Sequence, residues 1–73
     1  MIMELIGKIQ KKINDSSGYI LGQDNKLYLY FCYDFLEDFA DEIGQKVFFR
    51  AEGGKILRAT YISKFTSDDL QDI

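Results

Sequence analysis

The side chains in this chain that can do chemistry are aromatic rings and ammonium groups rather than nucleophiles. Histidine is absent and Cys32 is the single cysteine among 73 residues. Ser-His and Cys-His nucleophile pairs and most zinc geometries are thereby removed, and no disulfide can form within these residues. The rings concentrate at Leu27-Tyr28-Leu29-Tyr30-Phe31. Read as a strand, this stretch sends Leu27 and Leu29 to one face and Tyr28 and Tyr30 to the other. The leucines suit a core, which leaves two tyrosines, followed directly by Phe31, on the face that meets water. Rings there have three uses: stacking on a flat ligand, packing beneath a covering segment, or forming a contact patch for another protein. Tyr19 raises the same alternatives.

Lys8, Lys11 and Lys12 share one predicted strand, and Lys26 lies just before the aromatic one. These are the candidate contacts for an anionic partner; Arg50 and Arg58 are more remote. The net charge of −3 hides this, because the acids are local. Five crowd residues 34 to 42 (Asp34, Glu37, Asp38, Asp41, Glu42) and three more (Asp68, Asp69, Asp72) lie near the end. The remainder holds four acids against nine Lys and Arg, a formal +5. The other segments are therefore mildly basic, and the acidic total belongs to two segments.

The length fits one small domain, and six Phe with five Tyr are one way for a short chain to bury enough area. Proline is absent and the charged fraction is ordinary, so the chain does not read as disordered. Residues 1 to 10 contain no apolar stretch long enough for a signal peptide or membrane span. The expectation is a cytoplasmic, reducing setting, with no membrane association. The Asp34–Glu42 acids lack EF-hand spacing and a loop glycine, so neither a metal nor another cofactor is expected. No arrangement of residues suggests catalysis, and the chain is not expected to be an enzyme.

Five strands can be traced. Residues 4 to 13 alternate imperfectly, which a bulge reconciles, with Gly7 offering a bend. Asn14 to Gly18 is a dense turn cluster; Tyr19 to Leu21 is a short strand; Gly22 to Lys26 closes a hairpin into Leu27–Phe31. Asp34 could cap a short helix, with Phe35, Leu36 and Phe39 at helical spacing and Gly44 as its stop. Lys46 to Glu52 alternates cleanly, with Val47, Phe49 and Ala51 on one side and Phe48, Arg50 and Glu52 on the other. Gly53-Gly54 predicts a two-residue hairpin into a fifth strand over 55–62. Cys32 reads as a small core residue. The prediction is an all-β fold: one domain over residues 1–65, a small five-stranded barrel with a short helical or irregular acidic insertion between strands three and four. Residues 66–73 form an acidic C-terminal tail. Closure into a barrel removes the edges that so small a sheet would expose. The OB-fold leads, and an SH3-like barrel is the alternative.

The order of residues also resembles the bacterial cold-shock domain, an OB-fold that binds single-stranded RNA and DNA. Gly7-Lys8-Ile9 is similar to the family's opening Gly-Lys-Val. Ser16-Ser17-Gly18-Tyr19-Ile20 stands where the family has Gly-Phe-Gly-Phe-Ile, and Leu27-Tyr28-Leu29-Tyr30-Phe31 matches its Val-Phe-Val-His-Phe. Gly44 to Phe49 is similar to Gly-Gln-x-Val-x-Phe, and Ala59 to Ile62 to the closing Ala-Ala-x-Val, so the likeness spans roughly residues 4 to 62. Asp15 and Ser17 replace a Lys and a Phe of the first motif, and Lys11 and Lys12 stand where the family has Trp and Phe.

The resemblance implies a cold-shock-like barrel that binds single-stranded nucleic acid weakly and with little sequence preference. Tyr19, Tyr28, Tyr30 and Phe31 would stack on bases, and Lys8, Lys11 and Lys12 would hold phosphates. The alternative is a protein-interaction or self-association module that uses the aromatic face or the Asp34–Glu42 segment.

Overall fold

A computed structural model describes residues 3–65. The strands are β1 (Met3–Asn14), β2 (Ser17–Gly22), β3 (Leu27–Phe31), β4 (Lys46–Glu52) and β5 (Arg58–Lys64). β1 pairs antiparallel with both β2 and β4, β2 with β3, and β5 with β4. One parallel pairing, Leu29 with Arg58, joins β3 to β5 and closes the barrel in the order β1-β2-β3-β5-β4. This is the predicted all-β fold, a five-stranded OB-like barrel. Among the described residues no helix is long and apolar enough to cross a membrane.

The clean alternation of β4 is obeyed: Val47 and Phe49 are buried, while Phe48 is outside. They meet Leu5 and Ile9 of β1, Ile20 of β2, and Ala59 and Ile62 of β5 in a single core. The imperfect alternation of β1 has a bulge behind it, as expected, but not at Gly7. The register with β2 slips between Ile9 and Lys11 and again between Lys12 and Asn14, so Gln10 and Ile13 are the extra residues. Gly7 instead permits close approach. A Cβ there would lie 2.5 Å from the Leu21 carbonyl oxygen and 3.0 Å from the Phe49 ring.

One local alternative is decided and one expectation is corrected. Of the helical and irregular forms expected after Asp34, the segment takes the irregular one. One 3-10 turn, Cys32–Asp34, ends at Phe35, and no side chain caps it. The backbone of this segment has partners elsewhere: Leu36 N–H donates to the Ile62 carbonyl at 2.7 Å, and Phe35 bridges in parallel to Ile62. Groups bonded to β5 are not free to close helical turns. The Gly53-Gly54 hairpin is likewise a longer loop, and β5 begins at Arg58. Leu57 is committed to the other neighbour, its carbonyl accepting the Leu29 N–H at 2.9 Å while its side chain packs on the core. The expected tail, residues 66–73, lies outside the described residues.

Candidate functional site

The aromatic strand is turned over relative to its expected orientation. Tyr28 and Tyr30 are core residues, 4% and 0% exposed, whereas Leu27 is 50% exposed and Leu29 is half-buried. Because side chains alternate with a period of two, one such inversion moves every residue of the strand to the other face. Tyr28 and Tyr30 therefore offer no ring to a ligand. The match of Leu27–Phe31 to the cold-shock motif does not extend to side-chain direction at these two tyrosines.

The cause is the neighbouring strand. The inward face of β2 reads Gly18, Ile20, Gly22, with Gly18 paired to Tyr30 and Ile20 to Tyr28. A Cβ on Gly18 would sit 2.8 Å from the Tyr30 ring, and one on Gly22 would sit 3.1 Å from the Tyr28 ring. The glycines leave the volume that two large rings fill. Each hydroxyl then finds a carboxylate, as a buried phenol requires. Tyr28 donates to Asp24 Oδ2 at 2.6 Å, in the β2–β3 turn, and Tyr30 donates to Asp41 Oδ2 at 2.8 Å, in the acidic insertion. Burial, reinforced by the Asp24 carboxylate, pushes the Tyr28 phenol up to about 12. Burial and then Asp41 push Tyr30 upward as well. The Tyr28 hydrogen bond in turn holds the Asp24 carboxyl below its ordinary range. Burial works against ionisation of Asp41, but hydrogen bonds from Tyr30 and Lys12 outweigh it, and its carboxyl is also lowered.

With the tyrosines inside, a different set of residues occupies the outer face of β1, β2 and β3. Three cross-strand rows define it. Lys8 is paired with Leu21, and Leu21 with Leu27. Lys11 is paired with Tyr19, Tyr19 with Leu29, and Leu29 with Arg58, a row that crosses four strands. Ser17 is paired with Phe31, whose ring stacks on Tyr33 at 5.2 Å and 6° between planes. Tyr33 is 77% exposed. The Arg58 guanidinium covers Phe31 at 4.9 Å from the ring centroid and reaches Asp34 Oδ2 at 3.3 Å.

Of the seven expected site residues, the structure thus brings Tyr19, Phe31, Lys8 and Lys11 onto one face. It removes Tyr28 and Tyr30 to the core and turns Lys12 away. Lys12 pairs with inward-facing Gly18, and its Nζ meets Asp41 Oδ1 at 3.4 Å at the barrel end. The site gains Leu29, Tyr33 and Arg58. The signal for the inversion was the Gly-x-x-x-Gly spacing of Gly18 and Gly22, which marks room inside the barrel for rings from the next strand.

The acidic insertion runs beside β5 and is tied to Tyr30 and Lys12 through Asp41. Phe35 stacks on Tyr30 at 5.8 Å and Phe39 on Phe35 at 4.4 Å, extending the core outward. Glu37 accepts the Lys64 N–H at 2.8 Å. Asp34 reaches the aromatic face ion-paired with Arg58. Cys32 points to Asp41 with Sγ 3.6 Å from Oδ2, and burial, then the nearby carboxylate, raise its thiol. That is the environment of an inert thiol, not of a nucleophile. Among the described residues no three His, Cys, Asp or Glu side chains converge as metal ligands. The chain matches no protein-family model, and no curated protein matches it in sequence.

Proposed function

We propose that this barrel binds single-stranded nucleic acid on the outer face of β1–β3. The observation that carries the reading is the row Lys11–Tyr19–Leu29–Arg58 beside the stacked Phe31–Tyr33 pair. Rings offer a sequence-tolerant surface for bases, at roughly 1–3 kcal/mol per stacked base. Lys8 and Lys11 flank them as phosphate partners, none of the outward positions in these rows is a carboxylate, and Arg58 lies over Phe31, held by Asp34. Tyr19 keeps the role its position implied, and Phe31 backs the exposed Tyr33 ring. Tyr33 and Leu29 take the places of Tyr28 and Tyr30. Kinship with the cold-shock domain is part of the same proposal, supported by strand order and by the outward Tyr19.

A second reading, a protein-contact or self-association surface, draws on the outward Leu21, Leu27 and Leu29. Leucine contributes apolar area but no ring, and this strip adjoins the aromatic pair.

Titration with oligo-dT and oligo-U, followed by amide shifts, separates the two. Shifts centred on Tyr19, Leu29, Phe31, Tyr33 and Arg58 that weaken with added salt support nucleic-acid binding. No shifts at millimolar oligonucleotide in low salt overturn it. Concentration-dependent shifts of Leu21 and Leu27 in protein alone would favour self-association.

A further inference from the structure

We propose that a bound single strand continues round the barrel and seats a base in a second groove, between β4, β5 and Leu36, against Tyr61 and Arg50. This rests on the nucleic-acid reading of the β1–β3 face and extends its footprint.

The groove has a volume of about 420 Å³ and is walled by Leu36, Phe48 and Tyr61, with Glu4, Arg50 and Ser63 as its polar members. A smaller groove of about 240 Å³ shares Leu36 and Tyr61 with it and runs to Tyr33 and Asp34. Tyr33 is the exposed end of the Phe31–Tyr33 stack. The two grooves therefore adjoin at Leu36 and Tyr61, and the smaller one, lined also by Asp34 and Thr60, reaches Tyr33 at the first face.

Tyr61 is held for display. It lies in a left-handed conformation, with φ of +50°, which a bulky side chain rarely adopts. The β4–β5 register slips at this point, from Phe48–Ser63 to Arg50–Thr60. The bulge turns the ring outward, as bulges re-aim side chains, and the Arg50 guanidinium lies 4.1 Å from its centroid. Arg58 on Phe31 repeats this arginine–aromatic pair at the first face. Both arginines carry a buried Nε–H with no hydrogen-bond acceptor, and among the described residues Arg50 has no ion-pair partner.

These features fit a nucleobase better than a phosphate. Flat apolar walls receive its faces, Arg50 and Ser63 can serve its edge as donors, and Glu4, paired to Arg50 across β1 and β4, can accept from a ring N–H or amino group. Unstacked bases in single strands are read in this way, between aromatic or guanidinium planes and with hydrogen bonds to the edge. Asp34 on the path is neutralised by Arg58.

The test compares (dC)4 with (dC)10 on the whole chain, followed by amide shifts and affinity. The tetramer is expected to shift Tyr19, Phe31 and Tyr33, and the decamer to shift Phe48, Arg50 and Ser63 in addition. Tyr61→Gly, which suits a positive φ, and Arg50→Gln should each weaken the decamer roughly tenfold, about 1.4 kcal/mol, and erase the β4 shifts. An unchanged amide spectrum for the free variants confirms their fold, and Tyr61→Asn serves if Tyr61→Gly is unstable. Decamer shifts confined to the first face, with wild-type affinity in both variants, overturn the second groove and leave the first face standing. If neither oligonucleotide shifts any amide, the nucleic-acid reading itself falls and this inference with it.

Discussion

The Tyr30 hydroxyl and the Asp41 carboxylate, eleven residues apart in sequence, are joined at 2.8 Å. Through this bond a core side chain of β3 fastens the acidic insertion to the barrel end. Lys12 Nζ, 3.4 Å from the other Asp41 oxygen, adds a second tether. The insertion's acidity is thus partly consumed in holding the fold, and its aromatic residues extend the core over Tyr30.

Tyr30→Phe should therefore lower stability and spare ligand binding. A hydrogen bond to a charged group contributes about 1.5–3 kcal/mol, and the substitution keeps the ring. Urea unfolding should show a loss of that order, with the oligonucleotide affinity of the folded protein changed by less than about twofold. A large loss of affinity without loss of stability would put Tyr30 back on the binding face.

Phe31→Ala should behave in the opposite sense. Its ring lies outside, stacked on Tyr33 and covered by Arg58. Removing the ring that seats the exposed Tyr33 platform should cost about 1–3 kcal/mol of binding, read as a rise in Kd of roughly 5- to 150-fold. Tyr19→Ala should act similarly. Full affinity in both variants would exclude this face.

Much of the barrel was legible in the sequence because its strands obey simple rules. In β4, Val47, Phe49 and Ala51 alternate with Phe48, Arg50 and Glu52, so only one orientation keeps both charges out of the core. β3 was ambiguous for a physical reason: tyrosine can be a surface ring or a core ring with a satisfied hydroxyl. The decision lay in residues distant from it, the Gly18 cavity and the Asp24 and Asp41 acceptors. Helical spacing of Phe35 and Phe39 misled for a similar reason, since the Leu36 N–H bonds to Ile62 on β5. Tyr33 and Arg58 could not be placed until β3 had its orientation and its parallel partner.

Gly18→Ala tests the packing that set that orientation. Alanine usually favours a strand interior over glycine by roughly 0.5–1 kcal/mol. Here its Cβ would lie 2.4 Å from the Lys11 carbonyl oxygen and 2.8 Å from the Tyr30 ring. Overpacking of this kind costs about 1–3 kcal/mol, so the variant should be less stable in denaturant melts. Neutral or increased stability would mean that Tyr30 does not fill this space.

Stability should fall at both ends of the pH scale, through the same two pairs. Asp24 and Asp41 have folded pKa values below those of the unfolded chain. Their contribution is present above the unfolded value, near 3.9, and is lost as pH falls below it. Tyr28 and Tyr30 are raised when folded. Their contribution is present below about pH 10 and is lost as pH rises from there through the folded values, about 12 for Tyr28. Thermal melts of wild type and Tyr28→Phe should converge above pH 10, because the variant has no phenol to ionise. A constant gap between them would contradict the Tyr28–Asp24 linkage.

Salt dependence distinguishes the lysines. Each phosphate contact by a cation contributes about 0.7 to the slope of log K against log salt for single strands. Lys11 faces outward beside Tyr19, whereas Lys12 is committed to Asp41 at the barrel end. Lys11→Met should lower the slope by about 0.7, and Lys8→Met should do the same. Lys12→Met should leave the slope unchanged and instead weaken the insertion's hold, lowering stability slightly. Equal slopes for Lys11→Met and wild type would mean that the backbone of the bound strand does not pass over β1. A slope change confined to Lys12→Met would move the phosphate path to Lys12, where the Asp41 carboxylate would oppose it.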